Sequence, residues 1–301
     1  MSSPWIEALR SVALIVPDVE AATRFYTDTW HLEIAARAGG SVYLRGTGRD
    51  HHLLALHPGP QPALRTVTLR ARSAQALDEI AQAAVKAGGT LLTSIGPVSE
   101  PGGGVGLTIR DSDGRIFQVV HGDEGHANAH EAPDRPVRLA HVVLNAHELA
   151  AAQAFLENAF KFRLADRTRI MAFMNCDRDH HSIALGDTDN DALNHIAFLM
   201  PDVDSVMRGG GRMRDAGFSI DWGPGRHGPG NNAFNYFVGP DGVVIEYTAE
   251  VEQIDSTYKV GGPDDWAWPP GRIDQWGISQ PPSTRLKEAQ RAIEFIKESF
   301  Q

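Results

Sequence analysis

Two histidines and one glutamate are spaced along the chain in a way that could hold a metal ion. His141 and His195 are 54 residues apart, Glu246 follows 51 residues later, and each lies in an apolar run typical of a β-strand. Two imidazoles and one carboxylate form a facial triad that leaves open positions on a divalent metal, as in the Fe(II) sites that react with O₂. We therefore predict that His141, His195 and Glu246 bind a metal ion.

An internal repeat supports this prediction. Ser11, Thr66 and Gln118 follow one another at intervals of 55 and 52 residues, so they match the three ligands position by position. In both halves a strand leads into a helical segment, and an Asp-Gly turn leads into the last strand. A lone histidine on an apolar strand is usually a core residue, but three ligand types at three equivalent positions favour metal binding. The first half is then a copy of the fold without ligands.

The repeat predicts an α+β fold of two tandem domains. Each domain is a pair of βαβββ modules that form a curved mixed sheet around a pocket. We expect an N-terminal domain without metal ligands over residues 1–130 and a C-terminal catalytic domain over 131–260. A C-terminal tail over 261–301 follows, with a docking helix between Ser283 and Phe300 that carries one apolar face.

One helix of the second domain has an unusual composition. Gly209, Gly210 and Gly211 lie inside the fourth predicted helix, between Asp202 and Ala216. Each glycine costs about 1 kcal/mol relative to alanine in a helix interior. We therefore expect this helix to be kinked or short.

Composition excludes several classes of protein. The chain has 301 residues, 42 % hydrophobic and 22 % charged, which is typical of a globular protein. A net charge of −10 gives no basic surface for nucleic acid. The early apolar run Val12–Val16 is too short for a signal peptide, and no apolar stretch is long enough for a membrane span. The single Cys176 excludes an intrachain disulfide and fits a reducing cytoplasm, and we expect it to be a packed strand residue rather than a nucleophile.

The segment that precedes the third predicted ligand carries further polar side chains. Residues 225–246 run from a Gly/Pro-rich stretch with His227 to a strand with Tyr236 nine residues later, and end at Glu246. The segment resembles the signature of a known family, in which a His, an apolar residue, a Tyr, a polar residue, a Pro and a Glu follow in this order. Asn235 and Gly239 depart from the usual apolar and polar residues, and neither is a site residue.

A second stretch matches the same family. Residues 179–185 resemble the strand that bears the family's distal acid–base histidine, and His181 lies 14 residues before His195. Over about residues 5–275 the chain resembles the type I extradiol dioxygenases of the vicinal oxygen chelate superfamily. These enzymes cleave catechol and dihydroxybiphenyl rings.

The resemblance implies a cofactor and three catalytic residues. It implies Fe(II), with Mn(II) as the alternative, in the triad. It further implies that His181 faces O₂ and acts as an acid, and that Tyr236 hydrogen-bonds a substrate oxygen and favours its deprotonated form. His227 would pair with Tyr236 or with the substrate oxygen. The implied partners are a catechol-type substrate and O₂, and the implied assembly is a homo-oligomer.

Three residues are candidates for contact with the substrate. Phe173 and Met174 lie upstream of His181, where they line the ring pocket or pack in the core. Arg272 ends an aromatic, proline-rich segment, Trp266–Arg272, that folds back as a lid or forms an oligomer contact. A related arginine lies near the site in some members of the family.

Four other histidines are expected outside the site. His180 neighbours His181 on a presumed strand, so its side chain should point to the opposite face. His51, His52 and His147 have no matching partner and are expected at the surface.

The sequence thus predicts a cytoplasmic extradiol dioxygenase of aromatic compound degradation. The alternatives are another metal-dependent enzyme of the superfamily, glyoxalase-like or 4-hydroxyphenylpyruvate-dioxygenase-like, and a non-catalytic module that binds aromatic molecules. The other enzymes of the superfamily lack the set His181, His227 and Tyr236. A non-catalytic binding module does not need a facial triad. The ring substituents, proximal or distal cleavage, and Fe(II) or Mn(II) stay open.

Overall fold

The computed structural model describes residues 3–126 and 132–296, which form two nine-stranded sheets. The first half comprises helices α1 Val19–Arg24 and α2 Ala74–Lys86 and strands β1 Ile6–Val16, β2 Glu33–Ala38, β3 Ser41–Arg45, β4 Leu54–Pro58, β5 Ala63–Ala71, β6 Thr90–Leu91, β7 Gly96–Pro97, β8 Val105–Arg110 and β9 Ile116–His121. The second half comprises helices α3 Leu149–Phe160, α4 Val203–Asp215 and α5 Thr284–Ala289 and strands β10 Arg138–Ala146, β11 Arg163–Arg167, β12 Met171–Asn175, β13 Ile183–Asp187, β14 Ala192–Leu199, β15 Trp222–Arg226, β16 Ala233–Val238, β17 Val244–Ala249 and β18 Ile293–Glu294. None of the helices in these ranges has the length and apolar character that crossing a membrane requires.

The two sheets have the same strand order. The first is β2-β3-β4-β1-β5-β9-β8-β6, with β7 beside β8, and the second is β11-β12-β13-β10-β14-β17-β16-β15, with β18 beside β14. In each sheet the central strand pairs parallel with one neighbour and antiparallel with the other. The predicted α+β fold of tandem βαβββ pairs is therefore confirmed. The domain boundary at residue 130 stays a prediction.

The strand register places each predicted ligand where its counterpart lies in the first sheet. His141 and Glu246 both pair with Ala197, on opposite sides of β14. Ser11 and Gln118 pair in the same way with one residue of β5, Thr68. Because His195 and Thr66 lie two residues before these central partners, the repeat holds for all three positions.

Side chains of both halves share one core. The Trp30 ring stacks on the Tyr247 ring with centroids 3.6 Å apart and planes 6° apart. The Phe117 ring contacts the Phe160 ring edge-on at 5.2 Å. Burial of such rings is a major source of stability, and the second half therefore rests on a rigid partner.

Helix α4 departs from the expectation of a kinked or short helix. It runs without interruption through 13 residues and begins after Asp202, whose side chain accepts a hydrogen bond from the Ser205 backbone N–H. A Cβ at Gly209 would lie 2.6 Å from the Tyr247 ring, and a Cβ at Gly210 would lie 2.9 Å from the Asn235 amide. The expectation was wrong because these two glycines bring the helix close to the sheet.

The tail also differs from its prediction. Helix α5 has six residues, and the chain then forms strand β18, which pairs with β14, and a bridge between Phe295 and Leu64. A docking helix that continues beyond Ala289 was therefore wrong for the described residues, and Phe300 lies outside them. Leu286 and Ile293 are still buried, because a short helix followed by a strand buries the same apolar side chains.

Candidate metal centre

The three predicted ligands meet at the centre of the second sheet. They lie on the adjacent strands β10, β14 and β17. The Nε2 atom of His141 is 3.1 Å from Oε2 of Glu246, Nε2 of His195 is 3.3 Å from the same oxygen, and the two Nε2 atoms are 3.4 Å apart. All three side chains are buried, with Glu246 fully inaccessible to solvent. Ligand atoms this close to one another suit one shared cation.

Charge and spacing both fit a divalent ion. Ligands about 2.1 Å from an ion and at right angles lie roughly 3 Å apart, as these do. Burial lowers the pKa of His195 to about 4, so its imidazole is neutral at neutral pH. Burial alone would raise the pKa of Glu246, but the neighbouring His141 holds it well below its usual value. Neutral imidazoles and an ionised carboxylate are the forms that bind metal.

A chain of amides that the sequence did not reveal orients one ligand. The Nδ1–H of His195 donates to Oδ1 of Asn194 at 2.8 Å, and the Asn194 amide donates to Asn145 at 2.9 Å. Asn145 is fully buried and donates in turn to the Gln290 carbonyl at 2.9 Å. This arrangement leaves the Nε2 lone pair of His195 for the metal. A buried asparagine in an apolar strand was the signal available in the sequence.

Tyr236 and His227 lie beside the triad. Tyr236 pairs with Glu246 across β16 and β17, and its hydroxyl lies 3.0 Å from Nε2 of His227 and 3.4 Å from Nε2 of His195. Burial raises the pKa of Tyr236 well above its usual value, so the phenol keeps its proton. The His227 ring stacks on the Phe234 ring at 4.0 Å, which fixes its orientation.

His181 lies on the other side of the triad. Its ring centroid is 4.4 Å from that of His141, and the Phe173 ring meets it edge-on at 5.0 Å. Gly230 has a φ of +79°, and a Cβ there would lie 3.0 Å from the His181 ring. Burial lowers the pKa of His181 well below its usual value. Met174, by contrast, is fully buried in the main core, so core packing describes it.

His180 was expected to point away from His181, and this expectation was wrong. Its Nδ1 lies 3.0 Å from Nδ1 of His181, and its Nε2 lies 2.8 Å from Oδ2 of Asp166. The two histidines precede β13 and lie outside any strand, so the alternation of a strand does not apply to them. Asp166, on β11, had no signal in the sequence.

The tail covers the loop that carries His227. A Cβ at Gly228 would lie 2.8 Å from the Trp268 ring, and a cavity of about 360 Å³ lies between loop and tail. The Gln275 amide donates to the His227 carbonyl at 2.5 Å. Arg272 donates to the Gln275 carbonyl, so its hydrogen bonds shape the tail. The structure brings the tail to the mouth of the site without placing the Arg272 guanidinium against the triad.

The first half repeats the histidine pair. Since β4 and β13 pair with their central strands in the same register, His51 and His52 occupy the positions of His180 and His181. Their Nδ1 atoms are also 3.0 Å apart. The expectation that both lie at the surface was wrong, because His52 is 1 % exposed.

An arginine lies between two of the equivalent positions in the first half. Nη1 of Arg10 donates to the Ser11 hydroxyl at 2.9 Å and lies 2.6 Å from Nε2 of His52. Ser11 and His52 are the counterparts of His141 and His181, so the guanidinium stands between equivalent positions. Asp123 accepts from Nε of Arg10 at 3.2 Å and balances its charge.

One other group of potential ligands is already paired. Asp113, His147 and Asp191 lie close together, but the Arg115 guanidinium bridges the two carboxylates at 2.7 and 2.8 Å. His147 is exposed, as expected, and binds Asp191. The positive charge of Arg115 between the carboxylates offsets much of the attraction that they would have for a metal ion.

Known proteins share both the fold and parts of the sequence. The family model for the Glyoxalase/Bleomycin resistance protein/Dioxygenase superfamily matches residues 8–119 and 138–247. Metapyrocatechase 2 of Cupriavidus necator is 34 % identical over 155 residues, which are 48 % of this chain and 46 % of that enzyme. This alignment therefore spans about half of either protein.

Two further similarities extend over most of the chain. The manganese-dependent 2,3-dihydroxybiphenyl 1,2-dioxygenase of Geobacillus genomosp. 3 is 24 % identical over 253 residues, which are 76 % of this chain and 80 % of that enzyme. The solved structure of a Mn(II)-bound glyoxalase from Novosphingobium aromaticivorans is 31 % identical, with a TM-score of 0.88 over 100 % of this chain and 98 % of that one.

Proposed function

This chain belongs to the Glyoxalase/Bleomycin resistance protein/Dioxygenase superfamily, and we propose that it is an extradiol dioxygenase that cleaves a catecholic ring beside the diol. The observation that carries the proposal is that three polar side chains lie on two sides of one triad. His227 and Tyr236 lie on one side of the ligands and His181 lies on the other. Substrate and O₂ bound between them would have a proton donor or acceptor on each side.

The triad is proposed to hold Fe(II) or Mn(II). A divalent ion there would bring the diol oxygens and O₂ together at its open positions. His141, His195 and Glu246 supply two neutral ligands and one negative charge, so the bound ion keeps a net positive charge that attracts an ionised diol. The relatives include an enzyme named as manganese-dependent, which supports Mn(II) beside Fe(II).

Each neighbouring side chain has a proposed task. The Tyr236 phenol donates its one hydrogen to a substrate oxygen, and Nε2–H of His227 donates to the phenol oxygen and holds it in place. His181 is neutral in the free protein and takes up and returns the proton that ring opening requires. Phe173 offers an apolar edge to the ring, and Arg272 contributes through the tail that covers the loop.

The test is turnover after loading with metal. The metal-free protein is loaded anaerobically with Fe(II) or Mn(II) and then mixed with catechol, 3-substituted catechols or 2,3-dihydroxybiphenyl in air. We expect a yellow ring-fission product and the uptake of one O₂ per ring. Glu246→Gln should abolish turnover, while Gln118→Ala, at the equivalent position of the first half, should leave it unchanged. Absence of turnover with both ions and all of these rings would contradict the proposal.

A glyoxalase-like isomerase is the second candidate, because a Mn(II)-bound glyoxalase matches the chain from end to end. An isomerase needs no O₂. Anaerobic turnover of the hemithioacetal of methylglyoxal and glutathione, followed by thioester absorbance, therefore separates the candidates. We expect no anaerobic product, and a thioester formed without O₂ would favour the isomerase.

We propose further that the enzyme is a cytoplasmic homo-oligomer. Its single cysteine, Cys176, is buried, with a thiol pKa raised by burial, which suits a reducing compartment. Trp268, Trp276 and Ile278 are partly exposed on the tail and offer apolar surface for a second copy. Light scattering coupled to size-exclusion chromatography gives the mass in solution, and a monomer at micromolar concentration would contradict the assembly.

A further inference from the structure

Three side chains form a hydrogen-bonded chain that leads away from the metal centre. Nδ1 of His181 lies 3.0 Å from Nδ1 of His180, and Nε2 of His180 lies 2.8 Å from Oδ2 of Asp166. All three are buried, and His180 and Asp166 are fully inaccessible to solvent. The mechanism proposed above uses only the first of them. The burial of the polar side chains of His180 and Asp166 beside His181 is therefore not yet explained by the mechanism.

The donors around Asp166 define which atoms carry protons. Oδ1 accepts from the Gly261 backbone N–H at 2.6 Å, and Oδ2 accepts from the Tyr258 hydroxyl at 3.0 Å. A carboxylate only accepts, so Nε2 of His180 carries the hydrogen that points to it. When His180 carries only this hydrogen, its Nδ1 atom is an acceptor, and Nδ1 of His181 donates to it. Nε2 of His181 is left with a lone pair.

The first half provides an internal comparison. His51 and His52 repeat the pair with the same 3.0 Å separation. Strand register places Ala36 where the second half has Asp166. Ala36 of β2 pairs with Tyr43 of β3, and Asp166 of β11 pairs with Phe173 of β12, at equivalent positions of the two sheets. The carboxylate therefore accompanies only the histidine pair that lies beside metal ligands.

We propose that Asp166 and His180 are positioning residues that hold His181 in its Nδ1–H tautomer. In this tautomer, the nitrogen that His180 does not use presents a lone pair to a molecule bound at the triad. His181 can then take up a proton before it acts as an acid. The inference rests on the proposed function in assigning acid–base chemistry to His181, but the tautomer itself is a property of the protein before any reaction.

Replacing Asp166 by Asn should reverse the chain of donors. The Gly261 N–H can only donate, so the amide oxygen of Asn must take the Oδ1 position and the NH₂ group must face His180. Nε2 of His180 would then accept, its Nδ1–H would donate, and Nδ1 of His181 would have to accept. The His181 tautomer is therefore inverted in Asp166→Asn, with little change in volume.

Nuclear magnetic resonance tests the tautomer without turnover. The protein is labelled with ¹⁵N-histidine and loaded with Zn(II), which is diamagnetic, and the signals of His181 are identified by their loss in His181→Gln. We expect the wild type to show a protonated Nδ1 and an unprotonated Nε2, and Asp166→Asn to show the reverse. A wild-type His181 with a protonated Nε2 would overturn the proposal, and this spectrum needs no variant of Asp166 to fold.

Activity provides the second readout. For Asp166→Asn and His180→Gln we expect kcat for catechol to fall about 100-fold, while KM and metal content stay at wild-type values. His51→Gln, the matched change in the first half, should keep wild-type kcat. Equal kcat in the wild type and Asp166→Asn would overturn the positioning role. A wild type without turnover would contradict the proposed function alone, because the tautomer can still be read from the spectrum.

Discussion

At the scale of single residues, burial sets the protonation state of the candidate site. It keeps His195 and His181 neutral and keeps the Tyr236 phenol protonated. Glu246 stays ionised although it is buried, because imidazoles surround it. His195 and Glu246 therefore have the protonation states that metal binding needs near neutral pH.

Asn194, which accepts a hydrogen bond from His195, should affect the affinity of the triad for metal. In Asn194→Ala the imidazole loses the acceptor at 2.8 Å that fixes its tautomer. We expect the affinity for Mn(II) to fall about 10–100-fold, as measured by competition with a fluorescent chelator. Asn190→Ala removes an amide that contacts Asn145 but not His195, and should leave the affinity unchanged. Equal affinities for both variants would contradict the orienting role.

The Tyr236 hydroxyl should matter for turnover and not for metal binding. Tyr236→Phe removes the donor that lies 3.0 Å from His227 but keeps the ring that packs between Trp222 and His195. We expect kcat for catechol to fall about 100-fold with unchanged metal content, measured by oxygen uptake and metal analysis. Tyr43→Phe in the first half serves as the control and should retain full activity.

The sequence predicts residues whose identity differs between the two halves or belongs to a spaced motif. His141, His195 and Glu246 stand against Ser11, Thr66 and Gln118, and this contrast is visible without a structure. Asp166 and Asn194 escape prediction because their importance comes from contacts with one other side chain across the fold. No periodicity or spacing in a single chain records such a contact.

At the scale of elements, helix α4 shows how packing overrides helix propensity. Three adjacent glycines weaken an isolated helix, but two of them allow contact with Tyr247 and Asn235. The resulting burial of the Tyr247 ring between α4 and Trp30 stabilises both halves. Propensity alone therefore predicted the location of the helix but not its shape.

Two of the three glycines should respond in opposite ways to an added methyl group. Gly211→Ala meets no atom within 4 Å, so we expect the free energy of unfolding to rise by about 1 kcal/mol. Gly209→Ala would place its Cβ 2.6 Å from the Tyr247 ring, and we expect a loss of about 1–3 kcal/mol. Urea unfolding of the metal-free protein measures both. A gain in stability for Gly209→Ala would show that the contact is loose.

The strands were easier to predict than the tail. Their apolar runs and Asp-Gly turns recur in both halves, so each half checks the other. Residues 284–296 have no counterpart in the repeat, and their apolar spacing fits a helix as well as a short helix followed by a strand. Only the start of β14, where Ala192 and Leu193 extend beyond β17 and pair with β18, decides between them.

At the scale of the whole molecule, buried histidines link stability to pH. Burial lowers the pKa of His57 to about 4, below its value of about 6.5 in an unfolded chain. The unfolded state therefore binds more protons between these two values, and stability falls as pH falls through this window. The contribution of His57 is complete above pH 6.5 and is lost near pH 4.

This linkage can be measured on the metal-free protein. Between pH 7 and pH 4 we expect His57 to account for at most about 3 kcal/mol of the loss in the free energy of unfolding. His57→Gln should flatten the dependence on pH in urea titrations, since glutamine does not titrate. An identical slope in the wild type and the variant would contradict the effect of burial on His57.

The Arg10 guanidinium makes the two halves differ in the source of the positive charge near the centre of the sheet. A metal ion held by the triad, as proposed above, would come from solution, so a chelator would remove it and a metal-poor medium would withhold it. The first half carries its charge on a side chain, and no change in the supply of ions alters it. Of two halves with one architecture, one would therefore depend on the supply of metal ions, and the other depends only on its own amino-acid sequence.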